Sequence, residues 1–303
     1  MMQVKRKKAL ILLNNSAGTG RAAMNTWTIV KSFAEKGYET IVYPIIPGTD
    51  LVSEKILAEY EGQTEVVLCS GGDGTLNHII QSIMHMTERP RIAYLPSGST
   101  NDFSKALGIP YEFEKALETA VQGRSFKYDV GKLNDKYFNY IAAFGAFSAI
   151  SYATDQQLKN ILGHAAYIVS AVSELYENMQ FSRHMRFESD DFSFEDDYIF
   201  GAVCNSAYVA GFSVFRETDF SLDDGKMEIL LIKTPKTAVD IQGILNAIQK
   251  GTLDHPFITF KHISNVRITS SEYTDWTVDG EFGGSYKEVD IRVICQAVSI
   301  MRK

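Results

Sequence analysis

Hydrophobic runs and helical spacing alternate through the first 128 residues of the chain. Residues 9–13 form a continuous apolar run (ALILL), which is typical of a strand covered on both faces. Residues 21–35 have the apolar spacing of a helix, and residues 40–46 are again strand-like. The alternation continues with helices at 51–60, 75–86, 101–107 and 112–121 and with strands at 65–70 and 91–95. Strands and helices in regular turn predict an α/β domain with a mostly parallel sheet and helices on both faces.

The pattern changes near Tyr128, after which strands dominate. Residues 127–133 and 137–143 predict a hairpin across Asn134 and Asp135. One long helix is predicted at 159–179 and a short one at 238–248. The remaining predicted strands are 187–194, 198–205, 227–232, 257–260, 266–269, 276–278 and 289–294, with acidic residues 195–197 expected to join the first two. We therefore expect a β-rich second domain, with a boundary near residues 126–130.

The composition is that of a globular protein and excludes several classes. The 303 residues are 45% hydrophobic, and the three cysteines, which lie in apolar runs, are expected to be buried rather than paired in disulfides. The net charge of −7 argues against a nucleic-acid partner, since such affinity comes largely from neutralising phosphates. The longest uncharged run, residues 137–154, is too polar for a membrane span. We expect a cytoplasmic protein, whose basic cluster at residues 5–8 either contacts an anionic membrane or forms a solvated arm.

The strongest chemical signal is the glycine-rich segment at residues 70–77 (SGGDGTLN), which connects a predicted strand to a predicted helix. Glycines let the backbone approach a ligand closely, and amide groups at a helix N-terminus point at phosphates. Asp73 is unusual in such a loop, because a carboxylate repels phosphate unless a cation such as magnesium lies between them. The alternative is a tight turn in which Asp73 is the helix N-cap.

Two more segments have the same character. Residues 14–21 (NNSAGTGR) and residues 95–103 (LPSGSTNDF) each follow a predicted strand and precede a helix. The first lacks the Gly-Lys-Ser/Thr of a Walker loop, and Ala23 stands where the dinucleotide fingerprint has its third glycine. Because the carboxyl ends of parallel strands meet at one edge of the sheet, we expect all three loops to converge there.

A fourth segment, residues 277–281 (TVDGE), lies far along the chain from the three loops. Its two carboxylates, Asp279 and Glu281, flank a glycine. A kinase needs a base for the proton of the attacking hydroxyl, and either carboxylate could supply it. The alternative is an ordinary hairpin turn.

These four segments, in this order, resemble those of the diacylglycerol kinase catalytic-domain family, which includes bacterial soluble lipid kinases and the sphingosine and ceramide kinases. Further matching segments lie at residues 129–131 (DVG), 138–139 (FN), 205–206 (NS) and 223–225 (DDG), so the resemblance spans nearly the whole chain. It implies an NAD-kinase-like Rossmann-type nucleotide-binding domain over residues 1–128. It also implies a β-sandwich-like lipid-substrate domain over residues 129–290, with residues 291–303 returning to the first domain.

The resemblance implies that the chain transfers the γ-phosphate of ATP to a lipid hydroxyl, with diacylglycerol as the first choice and phosphatidic acid as its product. ATP would be held by Asn14, Asn15, Ser16, Ala17, Gly18, Gly71, Gly72, Gly74, Thr75, Asn77, Ser99 and Thr100. Asp73 would engage a catalytic magnesium ion. Asp279 and Glu281 would approach the lipid hydroxyl, one of them as the general base.

A second, structural magnesium ion is implied at the DDG segment. Its ligands would be the Asp224 side chain and the backbone carbonyls of Ser221 and Lys226. The enzyme would work transiently at a membrane surface, and a homodimer is left open. Candidate lipid-lining residues are Phe144, Phe147, Tyr152, Tyr167 and Phe212, with a role in the sandwich core as the alternative.

The sequence also departs from the family pattern. Asn15 replaces the usual proline, Ser99 a threonine and His78 a glutamate, and Pro44 stands where several members have a nucleotide-contacting threonine. None of these departures removes Asp73, Asp279 or Glu281. Three alternatives stay open: a kinase for another lipid of the sphingoid or phosphatidylglycerol type, a kinase for a soluble metabolite such as NAD, and a non-catalytic nucleotide sensor.

Overall fold

The chain divides into two compact units in a computed structural model. The structure describes residues 7–14, 24–98, 101–145, 181–205, 208–209, 212–213, 221–250 and 254–303. The first unit comprises Met1–Val130 and Cys295–Lys303, and the second comprises Gly131–Ile294. The chain leaves the first unit within one strand, β5 (Arg124–Leu133), and returns within another, β15 (Glu281–Arg302).

The first unit is a parallel sheet with helices. Its strands are β1 (Lys7–Leu13), β2 (Tyr38–Pro44), β3 (Val66–Gly71) and β4 (Arg91–Pro96). Its helices are α1 (Thr26–Glu35), α2 (Ser53–Glu59), α3 (Asp73–Met84), α4 (Asp102–Ala106) and α5 (Phe113–Gln122). The strand order is β2-β1-β3-β4, followed by the C-terminal end of β15, where Ile300 lies opposite Ile92 in parallel register. The predicted α/β architecture is confirmed.

The continuous apolar run in β1 is explained by burial on both faces. Successive side chains of a strand point to opposite faces of the sheet. Ile11 shares a core cluster with Phe33 of α1 and Leu117 of α5, whereas Leu10 and Leu12 alternate with it and are also fully buried. In a strand that is covered on both faces, no side chain faces solvent, so successive positions are all apolar.

The second unit is built from antiparallel strands. They are β6 (Lys136–Phe138), β7 (Ile141–Gly145), β8 (Arg183–Glu188), β9 (Ser193–Cys204), β10 (Tyr208–Val209), β11 (Phe212–Ser213), β12 (Met227–Lys233), β13 (Ile258–Ile263) and β14 (Asn265–Val278). The main order is β13-β12-β9-β7-β14-β15. An aromatic cluster that includes Phe144, Phe187 and Trp276 fills one core, and helix α6 (Ala238–Lys250) contributes Ile244 to another. The expected β-rich second domain is confirmed.

Several predicted strand boundaries in this unit are wrong. The acidic residues 195–197 are not a connection but part of β9, and the turn lies earlier, between β8 and β9. Acidic residues can lie in this strand because basic groups on the neighbouring strands face their carboxylates. His184 lies 2.9 Å from Asp197, and Lys233 lies 2.7 Å from Asp196. Cross-strand pairs of opposite charge of this kind stabilise sheets.

Other predicted segments were merged or divided. Residues 266–269 and 276–278 belong to one long strand, β14, and residues 289–294 lie within the 22-residue strand β15. The hairpin across Asn134 and Asp135 is confirmed, but its second strand is interrupted between β6 and β7, at Asn139 and Tyr140. The helix predicted at 159–179 lies outside the described residues, as do Lys5 and Arg6.

The three cysteines do not share one environment, contrary to the expectation that all are buried. Cys69 on β3 and Cys204 on β9 are fully buried, and burial raises the pKa of both thiols. Cys295 is exposed on β15, at the residue where the chain re-enters the first unit.

The hairpin β5–β6 depends on one glycine. Gly131 lies opposite Phe138, and a Cβ atom at Gly131 would overlap the buried Phe138 ring. We expect Gly131→Ala to lower the free energy of unfolding by about 1–3 kcal/mol, the usual cost of overpacking a core. The measurement is urea unfolding followed by tryptophan fluorescence.

The control for this prediction is the same glycine substitution in a Phe138→Ala background. Removing the ring removes the overlap, so the additional cost of Gly131→Ala should largely disappear there. An equal cost in both backgrounds would show that the ring is not the obstacle.

Candidate active site

The glycine-rich loop connects β3 to α3 in the first unit. Gly72 is the N-cap of α3 with an extended backbone (φ −88°, ψ −175°), and Asp73 is the first residue of the helix. The alternative that Asp73 is the N-cap is therefore wrong. The helix is 12 residues long and has no side-chain cap, so its first amides point out of the helix end, where an anion could accept them.

The loops after β3 and β4 touch through their backbones. The Ser97 amide donates to the Gly71 carbonyl at 2.9 Å, and a Cβ atom at Gly98 would come within 2.6 Å of the Gly72 Cα atom. Asn101, in the left-handed conformation at φ 50°, accepts from the Gly98 amide at 3.0 Å and donates to the Gly98 carbonyl at 2.6 Å. Glycine is required at this approach because no side chain fits between the two loops.

Asn14 brings the first loop to the same edge of the sheet. Its backbone amide donates to the Ser70 carbonyl at 2.9 Å, and its side-chain amide donates to the Thr75 hydroxyl at 2.8 Å. The structure therefore brings Asn14, Gly71, Gly72 and Thr75 together. The other predicted ATP-binding residues of the first and third loops, Asn15, Ser16, Ala17, Gly18, Ser99 and Thr100, lie outside the described residues.

The rest of α3 separates into a buried and an exposed side. Asn77, predicted to bind nucleotide, is 5% exposed and accepts a hydrogen bond from Gln81 at 3.4 Å. Gly74 and His78 are exposed. The histidine that departs from the family pattern therefore lies on the solvent side of the helix.

Tyr94 is a functional candidate that sequence reasoning missed. Its side chain, on β4, is 1% exposed. Its hydroxyl can donate to the Gly71 carbonyl at 3.3 Å or to the Asn101 side-chain oxygen at 3.4 Å. Burial, with a further contribution from the Asp73 charge, raises the pKa of Tyr94 well above its ordinary value. The available signal was a tyrosine inside an apolar strand just before a glycine loop, because a buried hydroxyl needs a partner.

The second unit contributes the turn between β14 and β15. Asp279 (φ 48°) and Gly280 (φ 86°) form this tight hairpin turn. The Asp279 carboxylate is 6% exposed and accepts four hydrogen bonds: from the Asn139 amide (2.7 Å) and side chain (3.3 Å), and from the Tyr140 and Ile141 amides (3.0 Å each). Its own amide donates to the Ile141 carbonyl at 2.8 Å.

Two opposing effects act on this carboxylate. Burial raises the pKa of Asp279 to about 6, although the hydrogen bonds from residues 139–141 oppose the rise. Glu281, the other predicted carboxylate of this turn, is exposed, and so is the neighbouring Phe282. The two acids therefore differ sharply: one is held inside the turn and the other faces solvent.

The predicted structural-metal turn lies just before β12. The Ser221 hydroxyl donates to the Asp223 carboxylate at 2.7 Å, and the Lys226 amide donates to the Asp224 carboxylate at 2.9 Å. No group of three or more His, Cys, Asp and Glu side chains suited to a metal occurs in the part of the chain that the structure describes. A hard cation here would therefore rely on backbone carbonyls beside Asp224, which suits magnesium as an oxygen-seeking ion.

One of the candidate lipid-lining residues is part of the core. Phe144 is fully buried, with its ring 5.0 Å from that of Trp276, so it packs the second unit instead of lining a lipid site. Phe147, Tyr152 and Tyr167 lie outside the described residues, and for Phe212 only the backbone is described. Among the described helices, none is both long and apolar enough to cross a bilayer.

Comparisons with known proteins agree over most of the chain. Residues 8–133 match the diacylglycerol kinase catalytic domain, and residues 142–302 match the YegS C-terminal NAD kinase beta sandwich-like domain. Diacylglycerol kinases of Staphylococcus carnosus and Staphylococcus aureus are each 30% identical over 280 residues, which is 92% of this chain and 90% and 87% of theirs.

The fold is also shared with a solved structure. A crystal structure of a diacylglycerol kinase from Bacillus anthracis superposes with a TM-score of 0.76 at 21% identity, covering 99% of this chain and 98% of that one. At this identity the likeness shows the fold, and the sequence matches show the family. The chain belongs to the diacylglycerol kinase catalytic-domain family and is a lipid kinase.

Proposed function

We propose that this lipid kinase transfers the γ-phosphate of ATP to the free hydroxyl of diacylglycerol, giving phosphatidic acid. The substrate is supported by the curated relatives, which are named diacylglycerol kinase and match 92% of the chain. The observation that supports the reaction is the joined pair of glycine loops, in which the Gly72 and Gly98 backbones approach too closely for a side chain at either position. Such loops at a helix N-terminus bind phosphates.

ATP would be held at the carboxyl edge of the parallel sheet. The loop amides and the start of α3 would contact the phosphates, with Asn14 and Thr75 holding the neighbouring loop in place. Asn15, Ser16, Ala17, Gly18, Gly74, Asn77, Ser99 and Thr100 complete the proposed set of nucleotide-binding residues. Asp73 would hold a magnesium ion, which supplies charge neutralisation on the transferred phosphate.

Glu281 is the better proton acceptor of the two candidate bases. An ionised carboxylate has about four lone-pair positions, and Asp279 already accepts four hydrogen bonds. Glu281 is exposed and stands two residues further along the same turn. Glu281 would therefore take the proton from the lipid hydroxyl, and Asp279 would fix the turn that presents it.

The substrate also determines where the enzyme would act. Diacylglycerol resides in a bilayer, so we propose a cytoplasmic protein that docks transiently on a membrane surface, without a nucleic-acid partner. The turn at Ser221, Asp224 and Lys226 would hold a structural magnesium ion. A homodimer is compatible with this function but not required by it.

The first prediction concerns the two carboxylates of the reaction. Asp73→Asn and Glu281→Gln should each fold normally and lose phosphotransfer by about 10²–10⁴-fold, the usual contribution of one positioned acid–base group. Transfer of labelled phosphate from ATP to diacylglycerol in mixed micelles is the assay. Matched controls are Glu54→Gln, an acid in the first turn of α2, and Glu288→Gln, an exposed acid on β15. Wild-type turnover in either Asp73→Asn or Glu281→Gln would remove that residue from the mechanism.

The second prediction follows from the pKa of Asp279 at about 6. Below that pH the carboxyl gains a proton and loses its charge, so it accepts the amides of residues 139–141 less well. The phosphotransfer rate should then decrease as the pH is lowered, and the decrease should approach about tenfold per pH unit, because activity follows the ionised fraction. The folded state binds this proton more tightly than the unfolded chain, whose ordinary value is 3.8, so this group does not destabilise the fold in the same range.

The pH prediction is checked with rate profiles and circular dichroism between pH 5 and 8. The break near pH 6 should remain in Glu281→Gln, on its low residual rate, and vanish in Asp279→Asn. A break that persists in Asp279→Asn would assign it to another group.

The third prediction concerns the substrate. Diacylglycerol, a sphingoid base, phosphatidylglycerol and NAD are offered separately with labelled ATP, and label should appear mainly in phosphatidic acid. Label in another lipid would keep the kinase and change its substrate. Label in NAD alone, or in none of the four, would overturn the proposal.

A further inference from the structure

Phe282 is an exposed aromatic side chain on the turn that presents the proposed base. It follows Glu281 directly at the start of β15, and 61% of its surface is exposed. A single exposed apolar side chain is common on protein surfaces and indicates nothing by itself. The position of Phe282 gives it meaning, because a lipid whose hydroxyl reaches Glu281 also approaches the residue bonded to it.

A lysine ammonium is fixed beside this aromatic residue. Lys136 on β6 is exposed, and its Nζ donates to the Phe282 carbonyl at 3.1 Å. The Tyr140 hydroxyl lies at the same turn, 3.8 Å from the place that a Cβ atom of Gly280 would take. The turn therefore presents an apolar ring, a phenol hydroxyl and an ammonium group together, all of them in the second unit.

This combination suits the surface of a phospholipid bilayer. Apolar and aromatic side chains enter the boundary between headgroups and acyl chains, whereas lysines are attracted to the anionic headgroups. The negative charge of Glu281 would be repelled by such headgroups, and the adjacent ammonium of Lys136 offsets that repulsion. The ring of Phe282 and the ammonium of Lys136 thus complement two successive layers of one bilayer surface.

We propose that the tip of the β14–β15 turn docks on the phospholipid bilayer in which the acceptor lipid is dissolved, through Phe282 and Lys136. The inference rests on the membrane part of the proposed function and adds the place of contact to it. The Phe282 ring would enter the acyl layer, and the Lys136 ammonium would contact lipid phosphate groups. Docking in this way would bring Glu281 to the level of the headgroups, where the hydroxyl of diacylglycerol lies.

The same hairpin carries a matched control pair away from the turn. Tyr273 on β14 is 67% exposed, and the Nζ atom of Lys287 on β15 lies 5.5 Å from the centre of its ring. Lys287 is separated from Glu281 by about 20 Å of strand. If exposure of an aromatic side chain beside a lysine were enough for docking, both pairs would contribute, whereas the proposal requires Phe282 and Lys136 alone.

The test is sedimentation of the full-length protein, without ATP, with sucrose-loaded vesicles of phosphatidylcholine and diacylglycerol, prepared with and without phosphatidylserine. Phe282→Ser should weaken binding about tenfold on both kinds of vesicle, because an apolar side chain no longer leaves water on docking. Phe282→Leu should retain most of the binding. Lys136→Gln should weaken binding about fivefold, and only on the vesicles that contain phosphatidylserine. Tyr273→Ser and Lys287→Gln should bind as wild type.

Kinetics separates docking from a defect in the reaction. In Phe282→Ser, kcat/KM should fall about tenfold for diacylglycerol in vesicles and much less for a monomeric short-chain diacylglycerol, which requires no bilayer. Glu281→Gln should lose turnover yet bind vesicles at least as well as wild type, so failure of the proposed base is seen separately. Wild-type vesicle binding by Phe282→Ser, an equal loss in Tyr273→Ser, or no vesicle binding by wild type would overturn the inference.

Discussion

The site of the second unit depends on one buried carboxylate. Asp279 takes an uncommon backbone conformation for a residue other than glycine, at φ 48°, and its four hydrogen bonds come from residues 139–141, far away in sequence. These bonds hold the β14–β15 turn against the start of β7. The raised pKa shows that they do not fully offset the loss of water. Conformational strain and buried charge are both common where a protein must hold a reactive group in one position.

The first unit also holds its loops in one position, but without a buried charge. Its two glycine loops are joined by backbone contact at Gly72 and Gly98, by the side chain of Asn101, and by the hydroxyl of Tyr94 beneath them. Backbone and buried groups do the holding, and the N-terminus of α3 carries no side-chain cap that would compete with a ligand. The two units thus use different means, a caged anion in one and a glycine contact in the other, to hold a group in one position.

Local patterns were readable from the sequence, and long-range contacts were not. The apolar run of β1 and the glycine loop before α3 were predicted because burial on both faces and close backbone approach each restrict residue type locally. The hydrogen-bond partners of Asp279 could not be recognised in the sequence, since most of them are backbone amides, which do not depend on residue type. The predicted strand at 227–232 gave no sign that Glu228 would be buried, and only the structure shows this.

Charge misled the prediction at residues 195–197. Three consecutive acids suggested a solvated connection, yet they continue a strand because the neighbouring strands place His184 and Lys233 opposite them. Strand preference is set by what lies across the sheet as much as by the residue itself, and a single sequence does not show which strands are neighbours.

The uneven placement of the cysteines has a practical consequence. Two thiols are sealed in the cores and kept protonated by burial, so a maleimide dye or nitroxide would react at the exposed Cys295 alone. That atom stands where the polypeptide crosses back between its two halves. The wild-type protein therefore already carries a single attachment point for a spectroscopic reporter at this crossing.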